Sequence, residues 1–149
     1  MVKYVAVLAC MVILGMRCSG KSPSNIGVKD GKLASCPRTP NCVSSQSADR
    51  EHFVEPLKYN GPLPEAANRL LGVLGSMKRV RVVTRTERYI HAEFTSALFR
   101  FVDDAEFSFD DTAKVIHVRS ASRVGRSDLG VNRKRVEEIR RRFEAGPKG

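Results

Sequence analysis

The stretch from Arg119 to Phe143 reads RSASRVGRSDLGVNRKRVEEIRRRF and carries the densest polar chemistry of the chain. Arg119, Arg123, Arg126 and Arg133 surround a serine- and glycine-containing segment from Ser120 to Gly130. Gly125 and Gly130 permit backbone conformations that side chains disfavour. Such a segment can aim several N–H groups at one point, and a helix start beyond it adds positive potential. These residue types describe a cradle for phosphate, sulfate or carboxylate. Their spacing is not that of a Walker loop or a dinucleotide fingerprint, so no nucleotide follows from it.

A second pattern lies within the first. Val136, Ile139 and Phe143 mark an apolar helical stripe, and the same period running backward reaches Asn132 and Arg135. Polar groups at such positions must be hydrogen-bonded or paired, because burying them bare costs several kcal/mol, roughly. Asp103 and Asp104 likewise interrupt the apolar run LFRFVDDAEFSFD. We therefore expect one polar network of Asp103, Asp104, Arg119, Ser120, Ser122, Arg123, Asp128, Asn132, Arg133 and Arg135. In a structural role Asp103 or Asp104 pairs with Arg119, Arg123 or Arg135, and Asn132 ties down the loop. In a binding role the same surface takes an anion. In a catalytic role, as a hydrolase or transferase, Asp103 or Asp104 is the base and Arg119 and Arg123 clamp the anion. His91 and His117 could share a sheet face, but catalysis by either needs a neighbour such as Ser120 or Glu93. The sequence has no GxSxG, HExxH or CxxCH motif.

The elements that must position these groups are legible in outline. PEAANRLLGVLGSM has apolar residues at three- and four-residue steps and opens with Pro64, which predicts a helix ending near Met77. VRVVTRT and YIHAEFT alternate as strands and are joined at Glu87-Arg88 as a hairpin. LFRFVDDAEFSFD predicts a longer strand with a bulge or bend near Asp103-Asp104. Asp110-Asp111-Thr112 is a turn and KVIHVRS the fourth strand. A last helix follows, with Asp128 as its N-cap. The fold class is α+β: an antiparallel sheet of about four strands, with an N-terminal-side helix and a C-terminal helix on one face. The segment 34–64, with five prolines, is expected as a loop-rich arm docking Phe53, Val54 and Leu57.

The beginning of the chain bears on compartment. One lysine and an apolar run from Tyr4 to Met16 match the organisation of a signal peptide. The run is short for a mature membrane span. Cys18 stands where a lipoprotein carries its lipidated cysteine, although Arg17 replaces the small residue that usually precedes it. We expect residues 1–18 as a signal peptide or lipoprotein leader, 19–33 as a flexible tether and 34–145 as a single domain. Cys36 and Cys42, in SCPRTPNCVSS, are close enough to form a disulfide in an oxidising compartment. The histidines His52, His91 and His117 show no metal-ligand spacing, so neither metal nor cofactor is expected.

Three separated segments, CPRTPNCVSS, FVDDAEF and HVRSASRVGRSDLGVNRKRVEEIR, resemble the family called domain of unknown function 1499. The resemblance runs in order from Ala34 to Phe143. It implies no established chemistry. It does mark Asn41, Ser44, Ser45, Gly125 and Gly130 beside the network residues. Arg126 departs from the aromatic residue expected at its position in similar sequences.

The net charge of +10 favours acidic partners. The sequence therefore suggests an exported, membrane-associated domain of the cell envelope that binds an anionic small molecule, an anionic lipid headgroup or an envelope protein. A purely structural or assembly role and the enzyme above are the alternatives. Nucleic acid is disfavoured, because no aromatic platform interleaves the basic residues.

Overall fold

A computed structural model describes residues 20–146. The leader and Cys18 lie outside the described residues. In chain order the elements are β1 (Cys42–Ser44), β2 (Leu57–Lys58), α1 (Leu63–Ser76), β3 (Val80–Arg85), β4 (Tyr89–Thr95), β5 (Val102–Asp110), β6 (Val115–Ser122) and α2 (Val131–Ala145). All six strands form one antiparallel sheet in the order β1-β6-β5-β4-β3, with β2 also pairing with β6. The α+β class is as expected, but the strand count is corrected from about four to six. The two extra strands come from the proline-rich arm. They are three and two residues long, too short to show a period.

The strand residues alternate between two faces. Ile90, Ala92 and Phe94 of β4, Ala105, Phe107 and Phe109 of β5, and Ile116 and Val118 of β6 form the apolar face. Leu63, Ala66, Ala67, Leu70, Val73 and Leu74 of α1 and Val136, Ile139 and Phe143 of α2 pack on it. Val54 and Leu57 of the arm are buried beside them, while Phe53 is half-buried. The expected bulge near Asp103-Asp104 is absent: β5 keeps continuous register with β4 and β6. The register shift lies instead in β3, between Val82 and Thr84. There is no need for a bulge at the aspartates, because both faces of β5 are buried and each carboxylate has partners on its own side.

The strand also begins later than expected, at Val102. Ser96 to Phe101 form a loop, closed by Ser96 N donating to Phe101 O at 2.8 Å. The disulfide Cys36–Cys42 is present and fixes the entry to β1. The stretch before the arm lies along the other face of the sheet. Gly27 N donates to Glu106 Oε1 at 2.7 Å, Lys29 and Lys32 exchange backbone hydrogen bonds, and Leu33 is buried.

Candidate functional site

Adjacent residues on a strand point to opposite sides, and this divides the expected network in two. Asp103, Ser120 and Ser122 face the helices. Asp104, Glu106 and Arg119 face away from them.

On the helix side the centre is Asn132, which is fully buried in the first turn of α2. Its Nδ2 donates to Asp128 Oδ2 at 2.7 Å, to Ser122 Oγ at 2.9 Å and to Asn41 O at 3.2 Å. Its Oδ1 accepts from Ser120 Oγ at 2.7 Å and from Arg135 Nη1 at 2.6 Å. Arg135 Nη2 donates to Asp103 Oδ2 at 2.5 Å, and its guanidinium lies over the Phe94 ring. Asp128 does stand at the start of α2, but not as the expected N-cap: Gly130 occupies that position with φ 78°, and Asp128 lies two residues before it. The Asp128 carboxylate accepts from Gly130 N at 2.8 Å and Asn132 N at 3.1 Å. The positive end of the helix thus already holds an anion, supplied by the chain itself. Arg133 is taken up by backbone carbonyls, donating to Phe53 O and Glu51 O at 2.7 Å each. A shallow hollow of about 190 Å³ beside Asp128 and Arg133 is what remains of the expected cradle.

On the other side the groups are ionic. Arg123 reaches back from the end of β6. Its Nε donates to Asp104 Oδ2 at 2.7 Å, and its Nη2 to Asp104 Oδ1 at 2.8 Å and to Glu93 Oε1 at 2.6 Å. His91 Nε2 donates to Asp104 Oδ1 at 2.8 Å, and Arg81 Nη2 to Glu93 Oε2 at 2.7 Å. Burial pushes the Asp104 carboxyl up, but the hydrogen bonds from Arg123 and His91 outweigh it and hold it below the usual range. Glu93 follows the same balance, with Arg123 and Arg81 as donors. The Arg123 guanidinium is held still more firmly charged by Asp104, against the effect of burial and with help from Glu93. Asp104 and Glu93 are therefore weak bases. Ser120 lies across the sheet from His91, so it is not the neighbour that catalysis by His91 requires.

Glu106, which no motif of the sequence singles out, is fully buried at the centre of this face. Its Oε1 accepts from Gly27 N and from Tyr89 Oη, each at 2.7 Å, and its Oε2 accepts from Arg119 Nη1 at 3.2 Å. The signal was available: counting the hairpin back from its Asp110–Thr112 turn places Glu106 opposite Arg119. Arg119 differs from the other arginines. It is 4% exposed, and its Nε has no hydrogen-bond partner among the described residues. Arg119 and Arg123 form one wall of a cleft of about 330 Å³, whose other lining includes Asn25, Ser35, Cys36 and Asn41. Among the described residues no three His, Cys, Asp or Glu side chains converge as metal ligands do.

A comparison with curated proteins returns no match. A family match covers residues 32–143, which includes the disulfide, both polar clusters and the cleft wall. On that match the chain belongs to the family described as protein of unknown function (DUF1499).

Proposed function

We propose that the protein is an exported binding domain, held at a membrane of the cell envelope by its N-terminal segment, that takes a small anionic ligand in the Arg119 cleft. The carrying observation is the under-used guanidinium of Arg119. A guanidinium has five N–H donors. Arg123 spends its donors on three carboxylate contacts, whereas Arg119 gives one long bond to Glu106 and leaves Nε without a partner among the described residues. A buried polar atom without a partner calls for an explanation, and a ligand oxygen in the adjoining cleft supplies one. The cleft volume is at the small end of ligand sites. The Cys36–Cys42 bond and the apolar run at the start of the chain support export. The catalytic alternative is weaker, because Asp104, the base it needs on this side, has both oxygens bonded and a depressed pKa.

The test is thermal unfolding of the full chain in mild detergent, titrated with phosphate, sulfate and sugar phosphates. Saturable stabilisation is expected, following the logarithmic dependence of ligand linkage. In Arg119→Lys, measured against its own unliganded baseline, that stabilisation should be lost, because an ammonium keeps the charge but not the planar fork. A flat response to every anion from a well-folded protein would overturn the ligand reading. It would leave these arginines as structural groups and turn the search to an envelope protein as partner.

A further inference from the structure

The strand register gathers several loops at one end of the sheet. Thr95 pairs with Val102, Asp103 with Ser122, and Cys42 with Ala121. Thr95 N also donates to Arg79 O, and Arg123 N to Val102 O. The loop between β4 and β5, the loop between β6 and α2, and the start of β3 therefore share that end. The chain also arrives there: a Cβ on Gly20 would meet Arg123 Cβ at 3.0 Å and Val124 Cγ1 at 3.2 Å.

Large apolar side chains meet solvent at this end. Leu98 is 79% exposed, Phe99 63% and Leu129 86%, with Phe101, Val124 and Val131 exposed beside them. The Phe99 and Phe101 rings stack at 5.6 Å, and Phe101 N donates to Ser96 Oγ at 2.9 Å, so the tip has a defined shape. The three remaining exposed large apolar residues among those described are valines, in positions 28, 82 and 83. The charge at the same end is positive. Lys21, Lys78, Arg79, Arg100 and Arg126 are all exposed, and the acidic residue of these loops, Asp128, is engaged by backbone amides.

We infer that this end is a membrane-docking surface, with Leu98, Phe99 and Phe101 entering the interface of an anionic bilayer and the surrounding cations meeting its headgroups. The inference rests on the proposal that the N-terminal segment holds the protein at a membrane, and it adds which surface faces the lipid. Apolar side chains rimmed by cations are what such an interface rewards. A chain that leaves the domain from the docking end needs no span of linker to bring this end to the bilayer. A protein groove would want the same apolar tip but gives no reason for the ring of uncompensated cations.

The chain has no tryptophan, so an introduced one is a unique reporter. The experiment places Phe99→Trp, and separately Leu98→Trp, in the full chain reconstituted with vesicles of phosphatidylglycerol carrying brominated acyl chains. Thr112→Trp, in the turn between β5 and β6 at the opposite end, is the control. The expected result is a blue-shifted emission and loss of most of its intensity at positions 98 and 99, with little change at position 112. Arg100→Glu in the Phe99→Trp background should reduce that quenching. If the protein floats with the vesicles but positions 98 and 99 stay unquenched, or all three positions quench alike, the docking surface is wrong and the membrane-held reading stands. If the full chain fails to float, the membrane-held reading fails and the docking surface with it.

Discussion

Arg123 closes the ionic face of the sheet. It binds both oxygens of a buried Asp104 and one of Glu93. An arginine reserved for a ligand can be truncated without harm to the fold. Arg123 cannot, because its loss leaves a nearly inaccessible carboxylate with only His91 beside it. Arg123→Ala is expected to destabilise the domain by roughly 3–5 kcal/mol, the cost of stranding a buried charge. Chemical denaturation measures it, and Asp104→Asn added to that variant should recover part of the loss, since the stranded charge is then gone. The same groups set an acid limit. Asp104 and Glu93 have folded pKa values below their ordinary 3.8 and 4.5. A depressed folded value means that the native state binds protons less readily than the unfolded one. Their stabilisation is therefore complete above the ordinary values and is lost as pH falls through the folded ones. Denaturation midpoints should hold steady near neutrality and decline below about pH 4.5, with a shallower decline in Asp104→Asn. An identical acid profile in that variant would show that other carboxylates set the limit.

At the scale of elements, the sequence was most informative where a period runs long enough to repeat. α1, the β3–β4 hairpin, the β5–β6 hairpin and α2 were legible from alternation, turn residues and the apolar stripe. β1 and β2 were not, because five strand residues separated by loops and prolines carry no period. They form only because β6 presents a free edge, a tertiary circumstance that local sequence does not report. β3 is the opposite case: its alternation was legible, yet a shift after Val82 and its edge position leave most of it exposed. The candidate site shows the same division. That Asn132 and Arg135 stand in polar contacts beneath a helix followed from helical period. That Asp103 and Asp104 serve different networks follows from strand period, but taken as one interruption of the apolar run they suggest a bulge or bend instead. Glu106 does not stand out in the sequence, because a lone acidic residue in an alternating strand looks solvent-facing. Here that face is covered.

Over the whole molecule, the sheet separates two kinds of interior. Antiparallel sheets commonly leave one face to water. In this protein the helices cover the apolar face, and the stretch from Gly20 to Leu33 lies against the ionic one, so β5 is buried on both sides. The contact between Gly27 and Glu106 places that stretch above Tyr89, whose hydroxyl donates to the same carboxylate. Burial first, and then the Glu106 bond, push the Tyr89 phenol well above its ordinary 10.0. Tyr59 is raised to about 12 by burial and its bond to Asp111, on a different part of the surface. The covering role can therefore be read by ultraviolet difference titration. In the full chain carrying Tyr4→Phe, which leaves Tyr59 and Tyr89 as its two tyrosines, neither should ionise where a free phenol does. In a chain begun at Leu33, Tyr89 should titrate closer to 10.0 while Tyr59 keeps its raised value and reports that the core has survived. Ordinary titration of Tyr89 in the full chain would mean that the stretch does not seal this face. Ordinary titration of both tyrosines in the shortened chain would mean that the covering stretch is integral to the fold. The arrangement also connects the two proposals: the stretch that begins at the end proposed to face lipid contributes Asn25 to the Arg119 cleft, so on those proposals docking and access to the cleft involve the same stretch.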